Sequence, residues 1–275
     1  LLLGIGPLVR WRRDEPQKLI KRLAIAVVVT VALALTLPWL MQDRIEAMTV
    51  VGLLMAVWVF VLALTEVYER ATHRHGLLKG LWKLPRSHWG MVLGHLGLAV
   101  NVVGIAFSQN YSIERDVRMK AGDSIDIHQY HFVFRDVHEL TGPNYRGGVG
   151  IIDVTRNGKP EATLHAEKRF YNSNRAMMTE AAIDGGVTRD LYAALGEELD
   201  DGSWAVRLYY KPFVRWIWMG GILMTLGGLF CLFDPRYRQR KNMPEAACSA
   251  KYYLSRSFYF CCWPRCYCGN WRVMR

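Results

Sequence analysis

Histidine and cysteine are the residues here with ligand chemistry, and one of the eight histidines stands apart. His95 lies well inside the apolar run SHWGMVLGHLGLAVNVVGIAF, residues 87–107. An ionisable side chain in hydrocarbon is costly, so such residues are rare and serve a function far more often than elsewhere. Gly90 and Gly94 form a GxxxG pair and Gly97 follows, which gives the helix a low-profile side near the imidazole. That side admits either a second helix or a flat macrocycle, and imidazole is a common axial ligand of haem iron. His88 precedes His95 by seven residues, close to two helical turns, so the two rings share a face about 10 Å apart along the axis. They cannot bind one iron from opposite sides. His88 therefore reads as an interfacial residue or one near a propionate. No other apolar run contains a histidine, so a two-histidine site needs its other half from outside this sequence.

The remaining candidates are weaker. His73 and His75 have the HxH spacing of a metal site on a strand, but they sit in a basic stretch that reads as a solvated loop. His128 and His131 are three apart and would face opposite sides of a strand. All six cysteines lie at or after Cys231. The tail KYYLSRSFYFCCWPRCYCGNWRVMR offers Cys-Cys-x-x-x-Cys-x-Cys, a pattern open to thiolate metal binding. It has neither paired CxxC spacing nor an amphipathic period, so from about residue 242 it reads as an aberrant, frame-shifted terminus.

Residues 23–41, 47–66, 87–107 and 213–233 are apolar runs of spanning length, since a bilayer core needs about 20 helical residues. The first two contain nothing that reads as a site. The opening LLLGIGPLVRW reads as the end of a further, truncated span. The formal charge of +11 would suit nucleic acid, but its distribution argues against that partner. Arg10, Arg12, Arg13, Lys18, Lys21 and Arg22 precede the first run; Arg70, Arg74, Lys79, Lys83 and Arg86 separate the second and third; Arg236, Arg238, Arg240 and Lys241 follow the fourth. Lys and Arg collect on the cytoplasmic side of short membrane loops, and the three clusters agree on one orientation. The segment 1–22 is then cytoplasmic, 23–66 two transmembrane helices, 67–86 a basic cytoplasmic loop, 87–107 the helix carrying His95, 108–212 external, 213–233 the fourth helix and 234–275 a cytoplasmic tail. In fold class this is an integral membrane α-helical protein with four transmembrane helices and one small all-β periplasmic domain between the third and fourth.

The external segment reads as β. Alternating stretches lie near residues 111–119, 125–137, 150–155 and 162–170, and an Asn157-Gly158 pair joins the last two, the strongest short-range hairpin signal. Asp201-Gly202 separates another two stretches. Several short strands with frequent turns suit a small barrel or sandwich, with 177–182 the one stretch open to a helical reading. The segment has no cysteine, so packing alone must hold it.

The blocks SHWGMVLGHLGLAVNVVGIAFS, GPNYRGGVG, AEKRFYNSNRAMMTEAAID, TRDLYAALGE and WAVRLYYKPFVRWIWMGGILMTLGG resemble the C-terminal portion of the CcmF family. These are the membrane subunits of the System I cytochrome c haem lyase. The resemblance runs over about residues 1–240 and leaves the tail outside. It implies a subunit that takes haem from the periplasmic chaperone CcmE and, with CcmH- and CcmI-type partners holding the apocytochrome c, supports thioether bonds between haem vinyl groups and a CxxCH motif. It also implies a b-type haem held in the membrane by two transmembrane histidines. His95 takes the place of the second, with Gly94 and Gly97 allowing close approach and His88 nearby. The first ligand, the WWD haem-docking segment and its two flanking periplasmic histidines are not in this sequence. The resemblance thus implies a missing N-terminal half as partner, membrane lipid as solvent, the bacterial inner membrane as location and no nucleic acid. Relatives dedicated to nitrite reductase look similar here, so the cytochrome client stays open. The other reading of the residues is an inactive, non-enzymatic membrane fragment.

Overall fold

The computed structural model describes residues 16–42, 44–172 and 176–234; the Cys-rich tail lies outside them. Helix α1 (Pro16–Gln42) opens on a proline, which costs nothing in the first turn because that N–H has no helical partner. Pro16 therefore starts the helix. Helix α2 (Ala47–His75) runs past its apolar stretch, and the short α3 (Leu77–Trp82) follows at once. The stretch 67–86, expected as a loop, is thus largely helical. The side chains of His73 and His75 lie outside the described residues. Helix α4 (Arg86–Tyr111) carries His95, and α5 (Val214–Leu232) is the last. Four of these helices are long and apolar enough to cross a membrane: Ile20–Gln42, Ala47–Thr72, Arg86–Tyr111 and Val214–Leu232.

Between α4 and α5 the chain forms an antiparallel sandwich. One sheet has the order β1-β9-β8-β7, the other β2-β3-β4-β5-β6. In the first, β1 (Ile113–Met119) pairs with β9 (Trp204–Pro212), then β8 (Arg189–Glu198) and β7 (Ala182–Gly185). In the second, β2 (Ser124–Ile127), β3 (Tyr130–Thr141), β4 (Tyr145–Arg156), β5 (Lys159–Tyr171) and β6 (Met177–Glu180) pair in chain order. Every second side chain faces inward. Phe132, Phe134, Ile152, Val154 and Leu164 meet Leu191, Leu195, Val206 and Leu208 across the core. Residues 177–180, open to a helical reading from sequence, form strand β6: Met177 pairs with Phe170 and Glu180 with Glu167, so backbone pairing at the sheet edge decides their state. The β4–β5 hairpin turns on Asn157 (φ 49°) and Gly158 (φ 74°), two successive positive φ values as its sequence requires.

The sandwich is tied to the helices at both ends. The Tyr111 hydroxyl, at the end of α4, donates to the Arg44 carbonyl at 2.9 Å and accepts the Glu46 N–H at 3.1 Å, so α4 grips the turn between α1 and α2. Phe213 packs its ring 4.7 Å from Phe107 and 5.1 Å from Trp216, and Trp216 Nε1 donates to the Val187 carbonyl at 3.1 Å.

Candidate functional site

Helix α4 has two working faces. One packs on α5 through glycines at seven-residue spacing. A Cβ on Gly97 would lie 2.7 Å from the Gly220 carbonyl oxygen and from the Met224 nitrogen, and one on Gly227 would lie 2.6 Å from the Gly90 carbonyl oxygen. Backbone meets backbone there, as small residues allow in membranes. Asn101 Nδ2 adds a bond to the Ile217 carbonyl at 3.0 Å. At the far end Asp234, after α5, accepts the Ser87 N–H at 2.8 Å. That satisfies one of the orphan donors in the first turn of α4 and sets an anionic group at its positive end.

The other face carries the histidines. His88 and His95 lie on it with Ala99 and Ala106, by the 3.6-residue period. It faces α2: Thr49 Oγ1 donates to the Ala106 carbonyl at 3.3 Å, and a Cβ on Gly52 would lie 2.9 Å from that of Ala106. His95 is half-buried, and its Nδ1 lies 2.8 Å from the Met91 carbonyl oxygen. A carbonyl only accepts, so Nδ1 is the donor in this contact and Nε2 is the ring nitrogen left for a ligand bond. Metal-ligating histidines are held in that way. The residues present therefore fit an axial ligand at His95.

The two glycines expected beside the ligand do different things. A Cβ on Gly94 would meet nothing within 4 Å, whereas Gly97 is packed against α5. The close approach at Gly97 is that of a helix, and only Gly94 keeps an open side.

Glu66, the last residue of the second apolar run, carries no candidate role by sequence. Its side chain is 4% exposed. Arg70 Nη2, one turn on, lies 2.8 Å from Glu66 Oε1, and His88 Nδ1 lies 3.8 Å from the same oxygen. His88 is buried at 5% exposure, and its Nε2 has no hydrogen-bond partner among the described residues. The second histidine of α4 thus lies buried in the helix bundle beside the Glu66 carboxylate. An acidic residue closing an apolar run, four before an arginine, was the available signal.

The sandwich histidines are separate from this site. His131 Nδ1 lies 2.6 Å from Asp126 Oδ1, and the His128 ring meets Tyr210 edge-on at 4.8 Å. Among the described residues no three His, Cys, Asp or Glu side chains gather as a metal site.

The chain has recognisable relatives. Residues 110–212 match the family model of the CcmF C-terminal beta-sandwich. The cytochrome c-type biogenesis protein CcmF of Escherichia coli K12 is 65% identical over 250 residues, 90% of this chain and 38% of that protein. The CcmF of Haemophilus influenzae is 58% identical over 238 residues, 86% of this chain and 37% of that protein. NrfE of Haemophilus influenzae, another cytochrome c-type biogenesis protein, is 40% identical over 161 residues, 58% of this chain and 25% of its own length. A solved structure of the cytochrome c heme lyase CcmF superposes with a TM-score of 0.67 at 22% identity, over 85% of this chain and 38% of that one; at that identity the match speaks for the fold. The chain spans less than two-fifths of the length of the first two relatives. It is a multi-pass membrane protein, related over its spans and its sandwich to the C-terminal portion of the CcmF family.

Proposed function

We propose that this chain works in cytochrome c maturation as the C-terminal part of a haem lyase subunit, with His95 as one axial ligand of a b-type haem in the membrane. The observation that carries this reading is the Nδ1 contact of His95 with the Met91 carbonyl at 2.8 Å. It holds Nδ1 as a donor and turns Nε2 toward ligand duty. His95 binds and orients through Nε2, the Met91 carbonyl holds the ring, and the glycine-packed α5 holds the helix that presents it. When bound, haem supplies one-electron chemistry at the iron. A second ligand and the surface that docks substrate haem would come from an N-terminal half. CcmE as haem donor, CcmH- and CcmI-type subunits and apocytochrome c complete the assembly. The reading puts the helices in a bacterial inner membrane and the sandwich in the periplasm, where it covers the site or receives a partner.

The test is co-expression of this chain with an upstream CcmF half, followed by absorbance spectra of the purified pair. A b-type spectrum is expected, and His95→Ala abolishes it. A spectrum unchanged in His95→Ala removes the ligand assignment. No haem with any upstream half would favour the second reading, an inactive membrane fragment.

A further inference from the structure

Where α1 ends and α5 begins, a cavity of about 160 Å³ opens between the helices and the sandwich. Unlike the apolar cavity of about 220 Å³ deeper among the helices, this one is lined by polar groups. Gln42 closes α1 on one side, and Tyr130, Arg156, Arg189 and Tyr210 face it from the sandwich. Gln42 Nε2 lies 3.5 Å from the Tyr210 hydroxyl, and that contact is buried.

The two guanidiniums are not equivalent. Arg189 is committed: it donates to the Tyr130 hydroxyl at 3.1 Å, to Glu161 at 2.6 Å and to Asp184. Arg156 donates to Gln129 at 2.8 Å and lies 5.6 Å from the Tyr130 ring centre, while no carboxylate among the described residues pairs with it. A planar cation with spare donors beside a polar cavity is the arrangement that binds a phosphate fork-wise. Its height is set by the chain. The first candidate span ends at Gln42 and the fourth starts at Val214, so in a bilayer these ends would put the cavity at the headgroup layer. Trp39 and Trp218, 61% and 73% exposed, lie one turn inside it, where aromatic belts form.

We propose that this cavity seats the phosphodiester headgroup of a membrane phospholipid, held by Arg156 and by the Gln42–Tyr210 pair, and so clamps the sandwich to the bilayer surface. The proposal is independent of haem.

The test uses the whole chain, purified and delipidated in detergent, with native mass spectrometry as readout. Phosphatidylglycerol is expected to bind one-to-one and saturably, dioleoylglycerol is not, and Arg156→Gln weakens the phospholipid about ten-fold, the range for one charge-assisted contact. Arg156 is exposed at the end of a hairpin, so the variant should fold, and an unchanged circular dichroism spectrum checks this. Gln42→Ala, on the other wall, should weaken binding independently, while Arg135→Gln, elsewhere on the sandwich, should not. Equal binding by Arg156→Gln and the parent chain overturns the proposal, as does equal binding of dioleoylglycerol. Inorganic phosphate bound as tightly as the phospholipid would make this a free-phosphate site and overturn the lipid assignment.

Discussion

His88 Nδ1 lies 3.8 Å from Oε1 of Glu66, and the two side chains are 3% and 4% exposed. The pair joins α4 to α2 below the level of His95. Arg70, 2.8 Å from the same oxygen, reaches outward at 47% side-chain exposure and supplies the balancing charge. Removing one partner of a buried charge leaves the other uncompensated, which costs more than the pair contributes as a whole. Arg70→Ala should therefore destabilise the chain by about 1–3 kcal/mol, and Glu66→Gln in the Arg70→Ala background should recover part of that loss. A thermal-melt double-mutant cycle in detergent reads the coupling. Strict additivity would show that Arg70 does not stabilise Glu66.

Much of the fold was legible in the residues, and the exceptions share a cause. Four apolar runs predicted four helices because a bilayer leaves few alternatives for backbone hydrogen bonds. Asn157 and Gly158 predicted their hairpin because few other residues accept two positive φ values. Met177–Glu180 was ambiguous because its state depends on pairing with β5, a contact remote from its own composition. The same holds at the site. His95 stands out on composition alone. Glu66 and the division of labour between Gly94 and Gly97 depend on which neighbour each helix face meets, and local spacing does not encode that.

That division gives a sharp test. A methyl on Gly97 would lie 2.7 Å from backbone atoms of α5, whereas one on Gly94 would meet nothing within 4 Å. Gly97→Ala should force α4 and α5 apart and cost about 1–3 kcal/mol, the usual range for overpacking. Gly94→Ala should leave thermal stability within about 0.5 kcal/mol of the parent. Equal melting temperatures for the two variants would contradict the packing of α4 on α5.

Asp234 offers a second handle on the same helix pair. Its Oδ2 accepts the Ser87 N–H at 2.8 Å from 2% exposure. Asp234→Ala should cost about 1–2 kcal/mol, as the loss of a helix cap does. Asp234→Asn, which keeps the acceptor and loses the charge, should cost less. Amide exchange in the first turn of α4 should rise in the alanine variant; unchanged exchange there would remove the capping role.

Two sandwich carboxylates should shape the acid limb of stability in opposite directions. Arg135 Nε donates to Asp153 Oδ2 at 2.7 Å and Thr163 Oγ1 to Oδ1 at 2.8 Å. The bond from Arg135, then that from Thr163, holds the carboxyl below its ordinary value of 3.8. The folded state therefore binds that proton less readily than the unfolded chain. Its contribution is fully present above about pH 4 and is lost as pH falls through the folded pKa. Asp190 is the reverse case. Burial raises its pKa above 3.8, and Arg215 opposes the rise only in part, with Nε 3.6 Å away. Its contribution is present at low pH and is lost as pH rises past that value. Asp153→Asn should cost about 1 kcal/mol at neutral pH and flatten the fall in stability below about pH 4. Asp190→Asn should leave that fall in place and melt no lower than the parent at neutral pH. Melting followed at the β-sheet band between about pH 2.5 and 7 covers both windows, and an acid limb unchanged in Asp153→Asn would assign the acid sensitivity to other carboxylates.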